Sequence, residues 1–111
     1  MNEINVENTT AQMRKGVLEF CILLIIKEGE VYASDILTSL KKAKLIVVEG
    51  TLYPLLSRLR RAGLLDYSWI ESKKGPPRKY YTLTKKGKST VAQLTKTWRV
   101  LAKSINALLS T

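Results

Sequence analysis

Ten consecutive residues, VLEFCILLII (Val17–Ile26), limit what this chain can fold into more than any other stretch. A helix needs roughly 20 apolar residues to span a bilayer, so this run, with Glu19 inside it, is too short. Read as the second half of a helix capped at Thr9 or Thr10 and stopped at Gly29, it is apolar almost all round. Such a helix needs cover on more than one side. A chain of 111 residues makes one small domain, with or without an appendage, and covers one face well. The rest of the cover is expected from a second copy.

The remaining pattern supplies the other elements. A second helix is expected near Ser34–Ala43, with Ser34 as its cap and Ile36, Leu37 and Leu40 inward. The connection KLIVV leads into EGTLYPLLSRLRRAGLL, whose helix spans Glu49–Ala62. Leu52, Leu55, Leu56 and Leu59 follow the i, i+3, i+4, i+7 spacing of a core face. Pro54 lacks a donor and crowds the carbonyl of Gly50, so an irregular first turn is expected rather than a break. LLDYSWIES (Leu64–Ser72) and RKYYTLT (Arg78–Thr84) are rich in strand formers, and KKGPP between them is a turn sequence. The last element, Lys85 to Leu109, is a long helix with Val91, Leu94, Trp98, Leu101, Ile105 and Leu108 on an a/d seam of about two and a half heptads.

The fold class is therefore mostly α with a small β-hairpin: a winged helix-turn-helix domain over residues 9–84, followed by a C-terminal dimerisation helix over 85–111. In such a domain the third helix enters the major groove and the hairpin wing touches adjacent backbone. Charge agrees. The net charge is +10, with 13 basic and three acidic residues between Lys41 and Thr90, and no carboxylate side chain after Glu71. That balance favours double-stranded DNA as partner. On the polar side of the third helix Thr51, Tyr53, Pro54, Ser57 and Arg58 are the groove-facing candidates. Arg58 suits a guanine edge or a phosphate. Arg60 and Arg61 read as a solvated basic helix end. At the wing, Lys73, Lys74, Arg78 and Lys79 suit phosphate or minor-groove contact. Tyr80 and Tyr81 alternate faces, one inward; Tyr67 and Trp69 share a face and read as packing.

The stretches EGTLYPLLSRLRRAGLL and GPPRKYYTLTKKG, with the opening MRKGVLEFCILLIIKEGEVYASDI, resemble the PadR-like transcriptional regulators from about Met13 to Leu109. The resemblance implies a cytoplasmic, homodimeric DNA-binding protein, usually a repressor, in the short subgroup with a single C-terminal helix. Two positions depart from the pattern: Ala33-Ser34 where Gly-Tyr is frequent, and Val48 where a Ser or Asn often precedes the third helix. Trp98 either fills the dimer core or forms, with its symmetry mate, a slot for a small planar aromatic effector.

Enzyme chemistry finds no support: there are no histidines, no second cysteine and no glycine-rich phosphate loop, so neither a metal site nor a cofactor is expected. Cys21 lies in the apolar run and reads as a buried, inert thiol. The polar start MNEINVENTT lacks the blocks of a signal peptide, and no membrane association is expected. The rival class is a non-regulatory winged-helix module, either architectural or a protein-interaction adaptor.

Overall fold

The computed structural model describes residues 4–72 and 74–111. Its elements run α1 (Val6–Lys27), α2 (Ala33–Lys42), α3 (Glu49–Arg61), β1 (Leu65–Ser72), β2 (Gly75–Leu83) and α4 (Lys85–Leu109). None of its helices is long and apolar enough to cross a membrane among the described residues.

Helix α1 starts earlier than Thr9 or Thr10. Asn5 caps it, its side-chain oxygen accepting the Asn8 N–H at 3.1 Å, and Glu7 in the first turn suits the helix dipole. Its apolar second half is the centre of the core: Ile22, Leu23 and Ile26 are buried, while Leu18, Cys21, Leu24 and Ile25 are partly covered. Burial of Cys21 is partial, and desolvation still pushes its thiol above the ordinary range.

Helix α2 is not capped by Ser34. Tyr32 holds the cap position, and the Asp35 carboxylate reaches back to accept the Tyr32 N–H at 2.9 Å. Ile36 and Leu40 are buried against α1 and α3. Val48, which offers no side-chain cap, precedes α3, and its carbonyl accepts both the Thr51 and the Leu52 N–H at 3.0 Å. The Tyr32 carbonyl accepts the same pair of bonds at the start of α2, so this is an ordinary helix start, and α3 runs unbroken through Pro54. Leu52, Leu56 and Leu59 are buried, and Leu55 lies half-covered at the edge.

The hairpin is longer on its second side than the turn sequence suggests. Ser72 pairs with Gly75, so Gly75, Pro76 and Pro77 belong to β2 instead of a KKGPP turn. Between the Ile70–Arg78 and Ser72–Gly75 pairs β2 carries one residue more than β1, and the register shifts. Two prolines cannot donate to the ladder, and they are tolerated because both strands of this sheet are edges. A contact with no local signal joins the hairpin to the helices: Val31 bridges to Tyr81 through bonds of 2.8 and 3.2 Å.

Helix α4 begins at Thr84, whose hydroxyl accepts the Gly87 N–H at 3.0 Å and donates to the Gly63 carbonyl at 2.6 Å. Gly87 is buried, and a Cβ there would collide with the carbonyl of Leu64. Only a glycine lets the first turn of α4 sit this close to the turn after α3. Val91 is buried and Leu94 partly so; beyond them the apolar side of α4 leaves the body of the domain.

Candidate nucleic-acid interface

With Leu52, Leu56 and Leu59 facing the core, the roughly 100° step of a helix places Gly50, Pro54, Ser57 and Arg61 along the opposite side of α3. All four are exposed. Tyr53, 47% exposed, and Arg60 flank this stripe toward the hairpin; Thr51 and Arg58 flank it toward α1.

The hairpin is held against α2 by one side chain above all. Arg78 lays its guanidinium 3.5 Å from the centre of the Tyr32 ring and donates to Ser34 Oγ at 2.9 Å. Tyr32 stacks in turn on Tyr80, with ring centroids 4.0 Å apart. Hydrogen bonding with Tyr32, ahead of desolvation, holds the Tyr80 phenol above its ordinary range. On the other face of the strands, Lys79 sits over the rings of Tyr67 and Trp69, at 4.4 and 5.2 Å, and Arg60 covers Tyr67 at 4.6 Å. Cation and ring thus alternate from α3 out along the wing, and each cation keeps a free side toward solvent.

These groups bring Tyr53, Arg78 and Lys79 together with Tyr32 and Trp69 around an open cleft of about 460 Å³. Ser57 lies on the next cleft, with Arg60, Arg61 and Lys79. The other residues singled out from sequence lie elsewhere. Thr51 and Pro54 line an apolar groove between α3, the KLIVV connection and the first half of α1, where Arg14 donates to the Ile46 carbonyl at 3.0 Å. Arg58 pairs with Glu19 of α1 at 2.9 Å, its side chain still 66% exposed. An ion pair so open to water contributes at most about 1 kcal/mol, so Glu19 is a partner that a phosphate can displace. Lys74 is exposed at the hairpin end, and Lys73 lies outside the described residues.

Sequence reasoning missed three features of this surface. Ser34 anchors Arg78 instead of capping α2, and Tyr32 is the platform on which Arg78 lies. Neither role has a local signal, because each depends on a residue some 44 positions away. Trp69 is 60% exposed, which corrects its reading as packing; Tyr67, on the same face, is partly covered. Arg61, placed by the sequence on the polar side of α3 and read as a solvated basic helix end, stands on the exposed stripe, and its side chain makes no ion pair or hydrogen bond among the described residues.

Residues 22–93 match the model of the transcriptional regulator PadR-like family. Among solved structures, a PadR-like transcription factor from Bacteroides fragilis is 54% identical, over 91% of this chain and 98% of that one, with a TM-score of 0.77. A PadR-like transcriptional regulator from Bacillus cereus is 40% identical over 90% and 98% of the two chains, with a TM-score of 0.82. Bacillus subtilis PadR, solved in complex with operator DNA, is 26% identical over 71% of this chain and 46% of that chain, at a TM-score of 0.66.

Proposed function

The chain belongs to the PadR-like family of transcriptional regulators, and from that premise we propose that it is a cytoplasmic repressor that binds a palindromic operator as a homodimer. One observation carries the reading: the exposed side of α3 and the cations of the wing border the same pair of clefts, with Arg60 of α3 lying over Tyr67 of the hairpin and Arg78 fixing the hairpin to Tyr32 and Ser34 at the start of α2. A winged helix needs that rigidity, since phosphate contacts from the wing set the register in which the helix meets base edges. The Bacillus subtilis relative solved in complex with operator DNA supports an operator as the partner.

In this arrangement Tyr53, Pro54 and Ser57 meet the groove, with Arg61 beside them. Thr51 and Arg58 lie toward the α1 side, where Arg58 exchanges Glu19 for a phosphate or a guanine edge. Lys73, Lys74, Arg78 and Lys79 hold backbone at the wing, and Trp69 extends that surface. The dimer is supported by the bare seam of α4, where Trp98, Leu101, Ile105 and Leu108 are 45 to 74% exposed. Residues 9–84 then act as the DNA-binding unit and 85–111 as the dimerisation helix.

Footprinting on DNA flanking the gene tests the reading. Protection of a short palindrome is expected; uniform coating without preference would mark a non-regulatory architectural protein instead. If each protomer neutralises three to five phosphates, affinity for that site should fall with log salt at a slope of about −5 to −9 for the dimer.

The effector pocket is part of the proposal. Two Trp98 indoles brought near a two-fold axis would bind a planar aromatic ligand by stacking, and relief of repression requires that the ligand favour one spacing of the two α3 helices. A flat aromatic dye is expected to quench tryptophan fluorescence and to lower operator affinity together. Trp98→Ala should abolish both, leaving Trp69 as the remaining emitter; equal dye binding by the two proteins would refute the pocket.

A further inference from the structure

Helix α4 carries a second pattern on the side away from its apolar seam. Lys85, Lys88, Lys96, Arg99 and Lys103 recur at helical spacing and fall within an arc of roughly 80°, close to diametrically opposite Leu94, Trp98, Leu101 and Ile105. The stripe extends about 27 Å along the axis. All five side chains are exposed, and none makes an ion pair or a hydrogen bond among the described residues. Lys27, at the end of α1, adds a sixth cation beside Lys88, Lys96 and Arg99 around a shallow depression. No residue of α2, α3 or the hairpin lines that depression, so it is separate from the cleft of Tyr53, Trp69 and Arg78.

Helix stability does not account for the stripe. A helix dipole favours carboxylates in the first turn and cations in the last. In α4 the first turn has no acidic residue and holds Lys85 and Lys86, while the last turn has no cation. No Asp or Glu follows Glu71 in the sequence, so no i,i+4 pair relieves the repulsion.

We infer that this basic face of α4 is a second binding surface for the DNA phosphate backbone, gripping duplex outside the segment held by α3 and the wing. The side chains between the cations on this face are small or polar, chiefly Ser89, Ala92 and Thr95, with no aromatic or leucine among them. Phosphate contacts are made by such a mixture of Lys, Arg and hydroxyl groups. A protein interface would want an apolar centre, and a membrane-surface helix an apolar face to insert. The inference rests on the proposed DNA binding only for the duplex held in the main site.

Bead capture tests it with the full-length protein. An operator duplex is immobilised, protein is added, and retention of a separate fluorescent duplex of unrelated sequence is measured, beside operator affinity for the same sample. Wild type is expected to retain the second duplex at low salt and release it as salt rises. A Lys88→Gln, Lys96→Gln, Arg99→Gln, Lys103→Gln variant should lose at least tenfold in retention. Its affinity for a short operator should change less than threefold near physiological salt, where the Debye length is about 8 Å. Glutamine keeps helix propensity, and an unchanged circular dichroism spectrum and sedimentation coefficient verify the fold. A second arm lengthens the immobilised operator with flanking sequence: if the stripe takes the flank of the same duplex, wild type but not the variant gains affinity with length, and capture of the free duplex declines. Should the operator not bind at all, direct binding of the unrelated duplex still separates wild type from variant, so failure of the proposed function is told apart from failure of the stripe. Equal retention by both proteins, or no duplex held by wild type through either arm, overturns the inference. So does retention of a polyglutamate peptide in place of DNA, which would assign the face to an acidic protein.

Discussion

Helices α1 and α4 both carry a long apolar side, yet the fold treats them in opposite ways. In α1, Ile22, Leu23 and Ile26 are almost completely buried within the single chain, enclosed by α2, α4 and β2. On the apolar side of α4 the one buried side chain is Val91; Leu101 and Ile105 remain about half exposed, and Leu108 is 74% exposed. The molecule is 56 Å long but only 30 and 25 Å across, because α4 projects from the body. The same kind of pattern is therefore used unequally: α1 centres the core while leaving Leu18, Leu24 and Ile25 partly open, and α4 offers surface that a lone chain leaves wet. Contiguous exposed apolar surface of this kind is a mark of association.

Three variants break or sharpen this contrast. The largest effect is expected in α1, where Leu23→Ala opens a cavity in a fully packed site and should lower unfolding free energy by about 3 kcal/mol or more, read from urea denaturation. A loss below about 1 kcal/mol would mean that α1 is no better enclosed than α4. On α4, Leu101→Asp with Ile105→Asp should leave the spectrum of the folded domain intact and raise the dimer dissociation constant about 100-fold, since each carboxylate would be desolvated without a partner. Sedimentation equilibrium checks this, and an unchanged oligomeric state would remove α4 from the interface. The smallest effect lies where the two regimes meet: Gly87→Ala forces apart the first turn of α4 and the Leu64 carbonyl, with an expected cost of about 1–3 kcal/mol in thermal or urea unfolding. A neutral or stabilising Gly87→Ala would show that α4 is not anchored there.

Periodicity and end signals carried much of the fold. The spacing of Leu52, Leu56 and Leu59, the limits of α4 at Lys85 and Leu109, and the order of helices and strands were all legible, because each depends on residues within a few turns of one another. Start signals were less reliable where several candidates competed: Asn5, Thr9 and Thr10 can all cap, and the helix extends to the earliest one that still gains bonds. Glycines and prolines in KKGPP suggested a longer turn than the one formed, since tolerance of proline at a sheet edge depends on what lies beside the strand.

The sequence by itself determined which side chains form the leucine face of α3, where positive charge accumulates, and that the chain carries two apolar helical surfaces. Only the tertiary structure decided which of those surfaces is covered, that Arg78 crosses to Tyr32 and Ser34, that Glu19 holds Arg58, and that Trp69 stands clear of the core while Tyr81 is buried in it. The reason is physical range. Helical and strand periodicity and capping are properties of neighbours in the chain, whereas burial and ion pairing depend on which distant segment the packing brings alongside, and a pattern of apolar residues is the same whether its cover lies in this chain or in another.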